Sequence, residues 1–128
     1  MPKPKINVQE DCGNAPKMMT LRNFNIAFAH NDRDFLLENV TDDVRWTMVG
    51  DKVVEGKEKF AETIAQLAQN ATEELTLATI MSHGKVGAVD GEIAFADGGR
   101  YGFCGIYEFS SNAKTAKIKT ITTYVIGL

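Results

Sequence analysis

Three apolar-rich stretches, residues 74–82, 86–97 and 100–109, follow one another with almost nothing between them. His83-Gly84 and Asp97-Gly98-Gly99 separate them, and a fourth stretch, 115–126, comes after Ser110-Ser111-Asn112-Ala113. Runs of this length broken by glycine turns predict antiparallel strands joined as a meander. Before Thr72 the apolar residues recur mostly at helical spacing. A chain segregated in this way folds as an α+β domain, with its helices gathered on one sheet.

The chain has 128 residues, of which 44% are hydrophobic and 24% charged, so one domain with a substantial core is expected. A formal net charge of −3 argues against a nucleic-acid partner, which reads a basic patch. Lys114, Lys117 and Lys119 are the densest basic run, and a solvated strand edge accounts for them. No apolar stretch approaches the roughly 18–20 residues of a membrane span. MPKPKINVQEDCG lacks the apolar segment of a secretory signal, and Cys12 and Cys104 do not suggest a disulfide, so a cytoplasmic protein is expected. With His30 and His83 as the only histidines and no CxxC, no metal or other cofactor is expected.

Residues 1–15 read as a flexible N-terminal arm and 16–128 as a single domain. Asn14 and Pro16 open a first helix, in which Leu21, Phe24 and Phe28 face inward and Asn31 supplies a left-handed stop. Asp32 caps a short second helix that turns Phe35, Leu36 and Val40 to the core. A strand follows over Val44–Val49, and Gly50-Asp51-Lys52 turns it back. Gly56 precedes a third helix, 57–69, with Phe60, Ile64, Leu67 and Ala68 on one stripe.

Two-residue hairpins at His83-Gly84 and Gly98-Gly99 would set the register of the later strands. They pair Leu77 with Asp90, Asp90 with Tyr107, and Glu92 with both Leu75 and Gly105. Directly opposed side chains share a face, so Asp90, Glu92 and Tyr107 are expected on one surface with Leu75, Leu77, Thr79, Met81, Tyr101 and Phe103. Val89, Ile93, Phe95, Cys104, Ile106, Ile121 and Val125 then form a second apolar face. A sheet apolar on both sides needs cover on both; helices supply one, and a second copy of the chain is expected to supply the other. A bulge at Gly91 would reverse this phase and turn an acid to solvent.

The order of elements resembles the nuclear transport factor 2-like superfamily, and within it the SnoaL-like and ketosteroid-isomerase-like proteins. The resemblance covers about residues 16–126. It is carried by Phe35-Leu36-Leu37-Glu38-Asn39-Val40-Thr41-Asp42-Asp43-Val44-Arg45-Trp46, by Gly50 and Gly56, by Gly99-Arg100-Tyr101 and by Tyr124. It implies a cone-shaped fold, about three N-terminal helices packed on a curved antiparallel sheet, with a pocket inside the cone. Phe24, Phe28, Trp46, Met48, Phe60, Tyr101, Phe103 and Tyr124 would line that pocket and bind a small apolar or aromatic molecule. The isomerase residues themselves do not carry over. The general base falls at Thr47 or Met48, the tyrosine donor at Phe24, and the neighbouring acid at Tyr107. A steroid-type isomerase mechanism is therefore not expected.

Two functional readings follow. In the first, Asp90 and Glu92 act as an acid–base pair with Tyr107 as hydroxyl donor, because carboxyls on an apolar face shift toward neutral pKa values; the reaction would be an isomerisation, dehydration, cyclisation or hydrolysis. In the second, the same scaffold is a non-catalytic ligand-binding or protein-interaction module. Loss of the family's base favours the second, and two inward acids would favour the first.

Overall fold

Proline fits the first turn of a helix, where its missing N–H is not needed, and the first helix, α1 (Pro16–His30), begins there. Asn31 stops it in the left-handed conformation, with φ 57° and its N–H directed back to Ala27 and Phe28. The Asp32 carboxylate accepts from Phe35 N–H at 3.3 Å and so starts α2 (Arg33–Glu38). In this computed structural model, which describes residues 3–8 and 15–128, the remaining elements are β1 (Lys5–Val8), β2 (Val40–Met48), β3 (Lys52–Glu55), α3 (Lys57–Leu67), β4 (Thr72–His83), β5 (Val86–Phe95), β6 (Arg100–Phe109) and β7 (Ile118–Gly127). Asn14 and Cys12 lie outside the described residues, and the cap position of α1 is occupied by Ala15.

The strands form one curved, unclosed seven-stranded sheet in the order β1-β4-β5-β6-β7-β2-β3. The meander β4 to β7 is antiparallel, while β1 on β4 and β2 on β7 run parallel. The sheet thus begins inside the segment that the sequence reads as an arm: Ile6 pairs with Leu75 and Val8 with Leu77. Asn7 fastens this edge by donating to Glu74 at 2.6 Å and to Thr76 at 3.1 Å.

Both hairpins differ from the two-residue closures expected at His83-Gly84 and Gly98-Gly99. His83 pairs with Val86, so the first loop is Gly84-Lys85, a shift of two that keeps the facing. The second loop has three residues, Ala96-Asp97-Gly98. Phe95 N–H donates to Gly99 carbonyl at 2.8 Å, and Gly98 takes the left-handed position at φ 95°, the usual geometry of a three-residue hairpin. Asp97 Oδ1 accepts from Gly99 N–H and braces it. An odd change in loop length reverses every side chain of β6 relative to β5.

A second reversal comes from β4. The register slips between Leu77 and Thr79, so Ala78 is the extra residue of a bulge, and Leu77 faces Gly91. A Cβ at Gly91 would collide with the Thr76 carbonyl oxygen, so the strands close up here only because no side chain is present.

The inner face therefore carries Leu75, Leu77 and Ile80 from β4, Val89 and Ile93 from β5, and Phe103, Tyr107 and Phe109 from β6. Ile121 and Trp46 extend the Tyr107 row across β7 and β2. Helix α1 lays Leu21 and Phe24 on this surface, both fully buried. The rings form a continuous chain, edge-on for Tyr107–Phe24 at 6.1 Å, Phe24–Phe28 at 5.4 Å and Phe28–Trp46 at 5.6 Å, and tilted for Trp46–Phe60 at 5.7 Å.

The polar atoms buried with them are satisfied in pairs. Asn25 donates to Leu21 carbonyl at 2.9 Å and lies 3.2 Å from the Tyr107 hydroxyl. The Trp46 indole donates to Thr123 Oγ1 at 3.1 Å. Burial pushes the Tyr107 phenol up to about 12, with the Asn25 hydrogen bond opposing the shift in part.

Gly91→Ala is expected to cost about 3 kcal/mol or more, because backbone rather than a flexible side chain must move. Gly102→Ala, whose Cβ would meet only the tip of Leu128 at 3.9 Å, is expected to be near neutral. Equal denaturation midpoints for the two variants would contradict the close approach at the bulge.

Tyr107 makes a second expectation concrete. The unfolded phenol loses its proton near pH 10 and the folded one near pH 12, so the unfolded state binds fewer protons in that window and stability falls as pH rises through it. Tyr107→Phe should cost about 1 kcal/mol at neutral pH by removing the Asn25 contact. That deficit should shrink from pH 10 upward, as read by denaturant titrations of both proteins. A deficit independent of pH would contradict the buried phenol.

Candidate functional site

The helices leave one end of the cone open. Helix α1 stops at Asn31 and α3 at Leu67, and the short link through Asn70 enters β4 at Thr72. Between these ends and the β4–β5 ladder lies a cavity of about 210 Å3. Phe28, Ile64, Leu67, Ile93 and Phe95 make its walls, and Asn31, Gln66, Asn70 and Thr72 its polar rim. For scale, an apolar cavity of about 150 Å3 admits benzene. Tyr101 packs edge-on against Phe95 at 5.8 Å, beside the opening.

The expected lining residues fall into four groups. Phe28 lines the cavity, and Trp46 stands directly behind it. Met48, Tyr101 and Phe103 share the inner face, Met48 and Phe103 half-buried against the core. Phe24 and Phe60 are fully buried in the ring chain, one level below the cavity. Tyr124 does not line the cone: it pairs with Cys104 on the outer face and is half exposed.

Asp90, Glu92 and Tyr107 are not brought together. Asp90 faces Thr79 and Cys104, and Glu92 faces Thr76 and Gly102, all on the outer side of the sheet. Tyr107 is opposite Gly87, not Asp90, and Gly105 is opposite Val89, not Glu92. Both acids are exposed. Glu92 lies 3.6 Å from Arg100 in a solvated pair, and Asp90 borders a shallow hollow with Met81, Ala88 and Cys104. The cause is the phase reversal at the Ala96–Gly98 loop and at the Ala78 bulge. A donor, an acid and a base therefore do not converge at these three residues.

The same reversal rewrites the second face. Val89, Ile93, Phe95 and Ile121, expected outside, point into the cone, and Val125 lies in the inner row of Phe103. Cys104 and Ile106 remain outside. Their exposed apolar neighbours are Met81, Val86, Tyr124 and Ile126.

Sequence reasoning missed Ile93 and Phe95 through register, and Asn31, Gln66, Asn70 and Thr72 through treating helix ends as punctuation. Ile64 and Leu67 were legible as an apolar stripe, and Leu67, half exposed at the end of α3, was the signal that this stripe runs past the core. A wider groove between α2 and α3 is edged by Arg33, Lys57, Glu58 and Glu62. It is charged and open to water, and offers less enclosure than the cone. Among the described residues no helix is long and apolar enough to cross a membrane.

A comparison with models of known protein families finds no match, and neither does one with curated protein sequences. Solved structures do match. An NTF2-like protein of unknown function from Mesorhizobium loti superposes with a TM-score of 0.73 at 17% identity, over 94% of this chain and 99% of that one. One from Burkholderia xenovorans gives 0.73 at 16% identity, over 86% and 82%. An LEH-like epoxide hydrolase of M. tuberculosis gives 0.73 at 17% identity, over 87% and 83%. At such identities the likeness is one of architecture, and this chain has the nuclear transport factor 2-like fold.

Proposed function

We propose that this chain binds a small, largely apolar molecule of about one ring in the open end of its cone, as a binding module. The observation that carries the reading is the cavity of about 210 Å3 walled by Phe28, Ile64, Leu67, Ile93 and Phe95. Apolar walls with a few polar groups at the edge are the usual make-up of a ligand site. The separation of Asp90 and Glu92 from Tyr107 supports binding over acid–base chemistry. The similarity to an epoxide hydrolase lies in the fold, and a fold alone does not fix a reaction.

The reading includes assembly as a homodimer through the outer sheet face. Met81, Val86, Ile106, Tyr124 and Ile126 are exposed there, and large apolar side chains gathered on one exposed face mark a surface for association. A two-fold pair would present the same face from both subunits. A cytoplasmic setting accords with a Cys104 thiol that is free among the described residues.

Trp46 gives a direct assay, because its ring touches Phe28, which lines the cavity. Its emission should be blue-shifted and should change on titration with toluene. Leu67→Asp, at a half-exposed wall position, should weaken toluene binding at least tenfold, about 1.4 kcal/mol. Emission unresponsive to toluene in the unmodified protein would dismiss the binding reading.

Assembly is checked separately. Ile106→Lys should raise the dimer dissociation constant at least tenfold in sedimentation equilibrium. An unmodified protein that sediments as a monomer at micromolar concentration would remove the dimer.

A further inference from the structure

The ends of two helices meet at the cavity rim. Asn31 is the cap residue of α1, and Gln66 and Leu67 are the last two residues of α3. Each C-terminus is the negative end of a helix dipole, although the carbonyls of Ala27, Phe28, Ile64, Gln66 and Leu67 already accept from the backbone N–H groups that follow. Among the described residues no lysine, arginine or histidine lines the cavity to offset them. A carboxylate entering here would lose water to apolar walls and meet two negative dipole ends, without a cation to receive it.

What the rim offers instead is three exposed amides, on Asn31, Gln66 and Asn70. An amide side chain both donates and accepts hydrogen bonds and carries no charge. Amides beside the negative ends of two helices favour a neutral ligand group that brings an O–H or N–H donor. The walls favour a ring, and the rim favours a neutral, hydrogen-bonding head.

From this we infer that the site selects uncharged one-ring molecules bearing a hydroxyl or carboxamide group and excludes the matching carboxylates. The inference rests on the cavity being the binding site, and sharpens it to a ligand class.

The test is a matched series read by Trp46 emission and by titration calorimetry at neutral pH: toluene, benzyl alcohol, benzamide and benzoate. Benzyl alcohol and benzamide should bind at least threefold more tightly than toluene, and benzoate at least tenfold more weakly than benzamide. A Gln66→Ala/Asn70→Ala double variant changes two exposed side chains. It should erase the advantage of benzamide over toluene. Asn31→Gly keeps the left-handed backbone available and should act in the same direction.

If toluene binds but benzoate matches benzamide, or if the double variant keeps the preference, the selectivity is overturned and the apolar site stands. If toluene and the other three all fail to bind, the binding reading itself falls.

Discussion

The close contact between Gly91 and the Thr76 carbonyl decides the phase of half the sheet. It lets β4 take up Ala78 as an extra residue while staying paired to β5. Strands alternate faces with a period of two, so one extra residue is enough to exchange the sets. From that point toward the cone mouth, Leu77 and Leu75 look inward with Ile93, and Thr76 looks outward with Glu92. The odd loop at Ala96–Gly98 makes the complementary exchange on β6. Together they place the apolar residues of β4, β5 and β6 on one concave surface. Either reversal alone would have driven a carboxylate into the core.

That core has little room for chemistry of its own. Its buried polar atoms serve one another: Asn25 with Tyr107, and the Trp46 indole with Thr123. Leaving either partner unmatched in a dry interior would cost about 1–3 kcal/mol, so these groups are held for structure. The phenol of Tyr107 is shifted away from neutrality by its burial, which makes it a poor proton carrier at ordinary pH. Polarity that can reach a ligand is concentrated at the rim, where the helices end.

Much of the architecture was legible in the sequence, and for local reasons. Pro16, Asn31 and Asp32 mark helix ends through steric and hydrogen-bonding effects that act within one turn. The stripe of Phe60 and Ile64 fixes which side of α3 packs. The strands were legible too, as runs between glycines. What could not be read was the partner of each strand residue. Register depends on whether Gly98 sits at the last position of a three-residue loop or within a two-residue one, and both suit a glycine. It depends also on a bulge whose extra residue, Ala78, has nothing distinctive about it, while Gly91, the residue that permits it, lies on the neighbouring strand. Lys5–Val8 escaped for a related reason: a four-residue parallel edge strand is specified by β4, not by its own pattern.

The two apolar faces of the sheet are separated by the kind of cover that suits each. The inner face is concave, and α1 and α3 fill it with rings from Tyr107 to Phe60. Filling stops where α1 and α3 end, at Asn31 and Leu67. An apolar wall there meets the polar rim of Asn31, Gln66, Asn70 and Thr72. The outer face is open along its length, and its apolar residues Met81, Ile106 and Tyr124 are set among threonines and acids rather than enclosed by them. Such a surface suits a broad contact more than a small ligand. Curvature, set by the phase of the strands, thus gives the two sides different shapes: an enclosed cavity on one and a broad open face on the other.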